Sequence, residues 1–171
     1  MIEKKGIVIT DSSPVFSLAV ADCLWVLVDL FDNISIPETV WEEITKDKTS
    51  AYYSRIFSFF KDKKHKISGF NDLSFIMDYG ESESIILYKE LNADFLIIND
   101  KKARKIAENI GVNCIGTIGV LSIAKERGLI KELNPIFKNL LNNKRFYSIE
   151  LLNAILEKNK EAKINLIVNN E

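Results

Sequence analysis

The sequence has few of the residues that form disulfides or bind transition metals: two cysteines and one histidine among 171 residues. Cys23 and Cys114 are too few for a disulfide scaffold and lack the spacing of metal ligands, so we expect two buried thiols in a reducing compartment. His65 lies in a lysine-rich segment, with no His or Cys partner and no nucleophile motif nearby. We interpret it as a solvated surface residue, which argues against a Ser-His-Asp triad and a histidine-based metal site.

Glycine is also scarce, and the seven glycines form neither of the common nucleotide-binding motifs. The absence of G-x-G-x-x-G and of G-x-x-x-x-G-K-[ST] argues against a dinucleotide site and a P-loop. A formal net charge of −1 excludes a protein that holds nucleic acid through a globally basic surface.

The chain has no long apolar run. The longest, residues 23–30, is interrupted by Asp29 and is far shorter than the roughly 20 residues that span a bilayer. We identify no targeting segment. The content of 47% apolar and 27% charged residues is typical of a globular protein. These features predict a soluble cytoplasmic protein without membrane contact, with one domain over residues 1–160 and a polar tail over 161–171.

Strand and helix patterns alternate along nearly the whole chain, which predicts a three-layer α/β/α domain with a parallel sheet and C-terminal helices. The predicted strands cover residues 6–10, 34–36, 95–98 and 112–115, and a further short strand begins near Ile67. The predicted helices cover residues 15–31 with a break near Asp22, then 38–46, 50–60, 80–91, 101–110, 117–127, 135–141 and 148–160.

Acidic residues follow several of these strands. Asp11 ends the first strand and Asp100 closes the strongest one, while Glu81 and Glu83 open a helix on the same side of the sheet. Glu42 and Glu43 lie on the helix that follows strand 34–36. Ligands of open α/β sheets bind outside the carboxyl ends of the strands, so these acids can converge there.

Converging carboxylates repel one another, and a hard divalent cation such as Mg²⁺ or Mn²⁺ relieves that repulsion. The chemistry indicated is hydrolysis of a phosphodiester by metal-activated water. Taken singly, each acid has a plainer explanation: Asp11 and Asp100 as helix N-caps, Glu81 and Glu83 as charges favoured by a helix N-terminus.

Basic residues follow Asp100 directly. Lys101 and Arg104 lie where they could hold a nucleic-acid backbone beside the acids, although an ordinary solvated helix face explains them equally well. For Lys102 and Lys105 we favour the solvated face.

Five motifs in order resemble those of a PIN domain, and the resemblance is nearest to the VapC-like branch of short prokaryotic chains. They are Ile7-Val-Ile-Thr-Asp-Ser-Ser-Pro14, Ile36-Pro-Glu-Thr-Val-Trp-Glu-Glu-Ile44, Asp78-Tyr-Gly-Glu-Ser-Glu-Ser-Ile85, Leu96-Ile-Ile-Asn-Asp-Lys-Lys-Ala-Arg104 and Gly116-Thr-Ile-Gly-Val-Leu121.

The resemblance implies a Mg²⁺- or Mn²⁺-dependent endoribonuclease with a parallel sheet of about five strands. It assigns the catalytic and metal-binding acids to Asp11, Glu43, Glu81 and Asp100, with Glu83 as an additional ligand and Ser13 as a supporting residue. It further implies RNA as substrate, an antitoxin protein as partner and a homodimer. Many PIN nucleases carry Asp at the position of Glu81, and related chains have another Asp at that of Asn99, which bears on the number of metal ions.

Two other functions stay open from the sequence. The first is a non-catalytic module that binds a partner through an apolar helical surface around Trp41, Tyr53 and Phe57. The second is a phosphoacceptor domain that uses Asp11. It is the weaker, because Ser12 and Ser13 occupy the positions where such domains need a second acid.

Overall fold

The computed structural model describes residues 6–165. Its sheet has five parallel strands in the order β3-β2-β1-β4-β5. The strands are β1 (Ile7–Thr10), β2 (Asn33–Pro37), β3 (Lys64–His65), β4 (Phe95–Ile97) and β5 (Cys114–Ile115).

Nine α-helices lie within the described residues, together with one turn of 3₁₀ helix at Asp72–Phe75. None of them is long and apolar enough to cross a membrane. The helices are α1 (Ser12–Val20), α2 (Trp25–Leu30), α3 (Glu38–Ile44), α4 (Tyr53–Phe60), α5 (Tyr79–Glu90), α6 (Lys101–Asn109), α7 (Thr117–Glu126), α8 (Asn134–Asn142) and α9 (Ile149–Lys158).

The central strands are apolar on both faces, and their alternating side chains enter two separate cores. Val8 and Ile97 join the larger core, which includes residues of α1, α2, α7, α8 and α9. Ile9 and Leu96 join the smaller core under α5 and α6. The sheet is therefore covered on both sides, and the predicted α/β/α architecture is confirmed.

The helix break predicted near Asp22 is confirmed, and one strand differs from the sequence prediction. The stretch 15–31 forms two helices because Asp22 takes a left-handed conformation (φ 56°) that interrupts the helical ladder. The third strand lies at Lys64–His65, within the lysine-rich segment, and not at Ile67. It is a two-residue edge strand with exposed, polar side chains, so no hydrophobic alternation marks it in the sequence.

The first residues of the predicted tail pack against the domain. Asn153 and Ile164 exchange two hydrogen bonds, of 3.0 and 2.7 Å, and Ile164 is buried. Residues 166–171 lie outside the described part of the chain. The packed domain thus extends beyond residue 160.

Glu161 fastens this C-terminal segment to the N-terminus of α8. Its carboxylate accepts hydrogen bonds from the backbone N–H groups of Leu133 (2.8 Å) and Asn134 (2.8 Å). It also forms an ion pair with Lys125 at 3.0 Å, and its side chain is only 10% exposed. These partners replace the water that the carboxylate loses on burial.

We expect Glu161→Ala to lower the free energy of unfolding by about 1–3 kcal/mol, because two buried N–H groups lose their acceptor. Urea denaturation measures the change. Glu157→Ala is the matched control, since Glu157 is 68% exposed and forms only a surface ion pair with Lys163, which contributes about 0–1 kcal/mol. Equal losses in the two variants would contradict the anchoring role.

Candidate functional site

Asp11 lies at the junction of the two central strands. Its backbone N–H donates to Ile97 O at 3.0 Å, so β1 and β4 stay paired up to this residue. The side chain is almost fully buried, with 5% of the residue exposed. Burial raises the pKa of the carboxyl to about 6; the N–H groups of Ser12 and Ser13 act in the opposite direction, and the charges of Glu43 and Asp100 raise it further.

Glu81, in the first turn of α5, faces the same group of acids. Burial raises the pKa of Glu81 to about 7, and the negative charges of Asp11, Asp100 and Asp78 add to the rise. Asp78 is the residue before α5 and was not predicted from the sequence as a site residue. Two carboxyl groups at this edge of the sheet are therefore close to titration near neutral pH.

Glu43 reaches the site because Gly80 leaves room for it. A Cβ atom at position 80 would lie 2.8 Å from Glu43 Oε1 and 3.0 Å from Oε2. The contact joins α3 to α5, and a second one forms beside it, where the Thr39 hydroxyl donates to Glu83 Oε2 at 2.5 Å. Glu83 is thus held against α3, and it is not among the charges that raise the pKa of Asp11 or Glu81.

Asp100 combines a structural role with an electrostatic one. It is the N-cap residue of α6, and its Oδ1 accepts a hydrogen bond from Ala103 N at 2.8 Å. Its charge also contributes to the raised pKa values of Asp11 and Glu81. The N-cap explanation and the site explanation for Asp100 therefore both apply.

The four acids fit a hard cation in their chemistry. Within residues 6–165, no ion pair involves Asp11, Glu43, Glu81 or Asp100, so their charges raise pKa values without a basic side chain to offset them. In the same residues, no three His, Cys, Asp or Glu side chains form a group already arranged to hold a metal. Oxygen donors with uncompensated negative charge are what Mg²⁺ and Mn²⁺ prefer, and the carboxylates would have to draw closer together to bind one.

A neutral network lies beside the acids and is centred on Asn99, at the end of β4. Its amide nitrogen donates to Ser13 Oγ at 3.3 Å and to the Tyr147 hydroxyl at 3.2 Å. Its amide oxygen accepts from Thr117 N at 2.9 Å and from Thr117 Oγ1 at 3.1 Å. Four segments of the chain meet at this one side chain: the end of β4, the starts of α1 and α7, and the segment between α8 and α9.

Two clefts flank the acids. The larger, of about 840 Å³, contains Lys101 and Arg104 in its lining, the two basic residues singled out from the sequence. Arg104 also pairs with Glu108 at 2.8 Å and donates to Cys114 O at 3.2 Å. The smaller cleft, of about 380 Å³, is lined by Asp78, Glu81 and Asp100 among others.

Several residues at this edge of the sheet were not found by sequence reasoning. Arg145 and Tyr147 come from the segment between α8 and α9 and carry no local motif, so only the folded chain shows that they reach Ser13 and Asn99. Thr117 belongs to the motif Gly116-Thr-Ile-Gly, at the start of a predicted helix. That position was the one indication in the sequence that Thr117 lies at this edge of the sheet.

The fold and these residues define the class: a parallel α/β domain with acidic side chains gathered at the carboxyl ends of its central strands. A family model described as a PIN domain, DUF3368, matches residues 7–161. The chain belongs to the PIN-domain family, which confirms the predicted family, and the domain has a nuclease-type fold. PIN domains typically use divalent metals. A search of curated proteins found no match.

The raised pKa of Asp11 predicts that Asp11→Asn stabilises the metal-free protein at pH 8. The ordinary pKa is 3.8 and the folded value is about 6, so the ionised carboxylate destabilises the folded state above pH 6. The penalty is on the order of 2–3 kcal/mol and disappears as the pH falls from 6 towards 4. Thermal melting of both proteins in EDTA at pH 8 and pH 5 measures the difference, which should shrink at pH 5. A variant no more stable than the wild type at pH 8 would contradict the burial of this charge.

The contact between Gly80 and Glu43 predicts that Gly80→Ala displaces the Glu43 carboxylate while the fold is retained. We expect Mn²⁺ affinity, measured by calorimetry, to fall by roughly 10-fold or more, as when groups around a metal are disturbed. Gly116→Ala is the control, because a Cβ there would meet no atom closer than 3.6 Å. Unchanged Mn²⁺ affinity in Gly80→Ala would show that Glu43 is not a ligand.

Proposed function

We propose that this PIN domain is a Mg²⁺- or Mn²⁺-dependent endoribonuclease that hydrolyses phosphodiester bonds of single-stranded RNA. The observation that carries the proposal is Asp11: a nearly buried carboxylate, without a basic partner among the described residues, whose pKa is raised by burial and by two other acids. Burying such a charge costs free energy, and a bound cation would offset that cost.

In this proposal Asp11, Glu43, Glu81 and Asp100 hold the metal. A divalent cation at such a site polarises a phosphoryl oxygen and lowers the pKa of its bound water. Lys101 and Arg104, on the neighbouring cleft wall, would hold the RNA backbone. Ser13, which accepts hydrogen bonds from Asn99 and Arg145, would support the start of α1 beside Asp11.

In this proposal Glu83 has a structural role and does not bind the metal. Because the Thr39 hydroxyl holds its carboxylate against α3, we assign Glu83 to positioning α3, which carries Glu43, relative to α5, which carries Glu81. Glu83→Gln should therefore weaken cleavage less than Glu43→Gln does.

We further propose that the chain is the toxin of a VapC-like toxin–antitoxin pair and that it acts as a homodimer in the cytoplasm. The order and spacing of the five motifs support this branch of the family. Trp41, Tyr53 and Phe57 form a half-exposed aromatic surface on α3 and α4, with ring centroids 5.2 and 5.6 Å apart, which would suit an antitoxin or a second subunit.

A second candidate function is a PIN-fold interaction module without hydrolytic activity. It is favoured by the same aromatic surface and by the lack, within residues 6–165, of three acids already arranged around a metal position. Metal-dependent cleavage separates the two candidates, because a pure interaction module would bind its partner equally well with and without Mn²⁺.

Cleavage of a labelled single-stranded RNA in Mn²⁺ tests the nuclease directly. We expect Asp11→Asn, Asp100→Asn and Glu43→Gln each to lose more than about 100-fold in rate, since even residues outside the ligand shell cost about 10–100-fold. Glu42→Gln is the matched control, because Glu42 adjoins Glu43, is exposed and perturbs neither Asp11 nor Glu81. Full activity of Asp11→Asn and Asp100→Asn, with EDTA having no effect, would overturn the assignment.

A further inference from the structure

The segment between α8 and α9 presents alternate residues to opposite sides. Arg145 and Tyr147 point inwards: the Arg145 guanidinium donates to Ser17 Oγ at 3.0 Å and to Ser13 O and Oγ at 2.9 Å each. The Tyr147 hydroxyl donates to Ser17 Oγ at 2.7 Å. The segment is thereby bound firmly to α1, directly behind Asp11.

The residues that alternate with these anchors, Lys144 and Phe146, are exposed and line the larger cleft. Phe146 is 81% exposed, although its neighbours on either side are fixed by hydrogen bonds. An aromatic ring kept in solvent on an anchored segment has no packing role in the fold. Most of its surface is accessible to a ligand.

The part of the cleft lining that comes from α6 is basic and adjoins Asp100. Lys101 directly follows Asp100, and Arg104 lies one turn further along α6. Lys101 and Lys144 thus place positive charge on two separate segments that line a cleft of about 840 Å³. Arg104 lines the same cleft and shares its charge with Glu108 at 2.8 Å. Such an arrangement attracts a polyanion, and it adjoins an acidic site that alone would repel one.

We propose that this cleft is a binding groove for single-stranded RNA. In this groove an unpaired base stacks on Phe146, and the flanking phosphates contact Lys144 and Lys101. The proposal rests on the proposed function, because the groove would lead the strand towards Asp11 and Asp100. Stacking requires a base whose face is open, so the groove selects single strands over duplexes. The basic side chains that line the cleft favour RNA over an apolar peptide as its ligand.

Fluorescence anisotropy with a labelled oligoribonucleotide, in EDTA so that no cleavage occurs, tests the groove. We expect Phe146→Ala to weaken binding by at least about 5-fold, the loss for one base–aromatic stack, and Phe146→Trp to restore it. Phe70→Ala is the matched control, because Phe70 is equally exposed at 81% and does not line the cleft. Lys144→Gln should lower the slope of log binding constant against log salt concentration by about one, which corresponds to one phosphate contact.

The outcomes separate this proposal from the proposed function. The proposed binding groove is wrong if Phe146→Ala binds the oligoribonucleotide as tightly as Phe70→Ala does. It is also wrong if a duplex of equal length binds as well as the single strand. No binding of single-stranded RNA by the wild type would also overturn it. If Phe146→Ala loses binding while the wild type cleaves no RNA in Mn²⁺, the groove is supported and the nuclease assignment fails.

Discussion

Electrostatic repulsion at the carboxyl ends of β1 and β4 is the constraint to which the rest of the site conforms. The parallel pairing of these strands fixes Asp11, since its own N–H takes part in the ladder. This pairing holds the backbone of Asp11 in place, and its carboxylate is buried. Asp100, Glu43 and Glu81 add charge of the same sign, and the neighbouring residues accommodate it: Gly80 leaves space for Glu43, and Asn99 supplies a neutral amide where another acid would increase the repulsion.

The sequence predicted the parts of this arrangement that depend on short-range patterns. Apolar runs ending in Asp11 and Asp100 marked β1 and β4, and the strand–helix alternation predicted the α/β fold. It could not show contacts between distant segments: Arg145 reaches Ser13 across 132 residues, and no local pattern encodes that distance. β3 was not predicted from the sequence for a different reason. Two exposed residues on a sheet edge need no hydrophobic periodicity.

The site divides its tasks between two parts of the fold. The central strands and α3 and α5 bring the acids together, and their geometry is set by the sheet and by the packing of Glu43 on Gly80. The basic and aromatic walls come from α6 and from the segment after α8. The exposed residues Lys144 and Phe146 can therefore change without loss of the contacts that Arg145 and Tyr147 make with α1.

The attachment of Arg145 and Tyr147 to α1 has a consequence for biosynthesis. α1 is translated more than a hundred residues before the segment that covers its N-terminus. A growing chain therefore presents the acids of β1 and β4 before the second wall of the larger cleft exists. The cleft is completed only once the segment between α8 and α9 has been made, so a chain that ends before this segment contains all four acids and lacks one wall of the cleft.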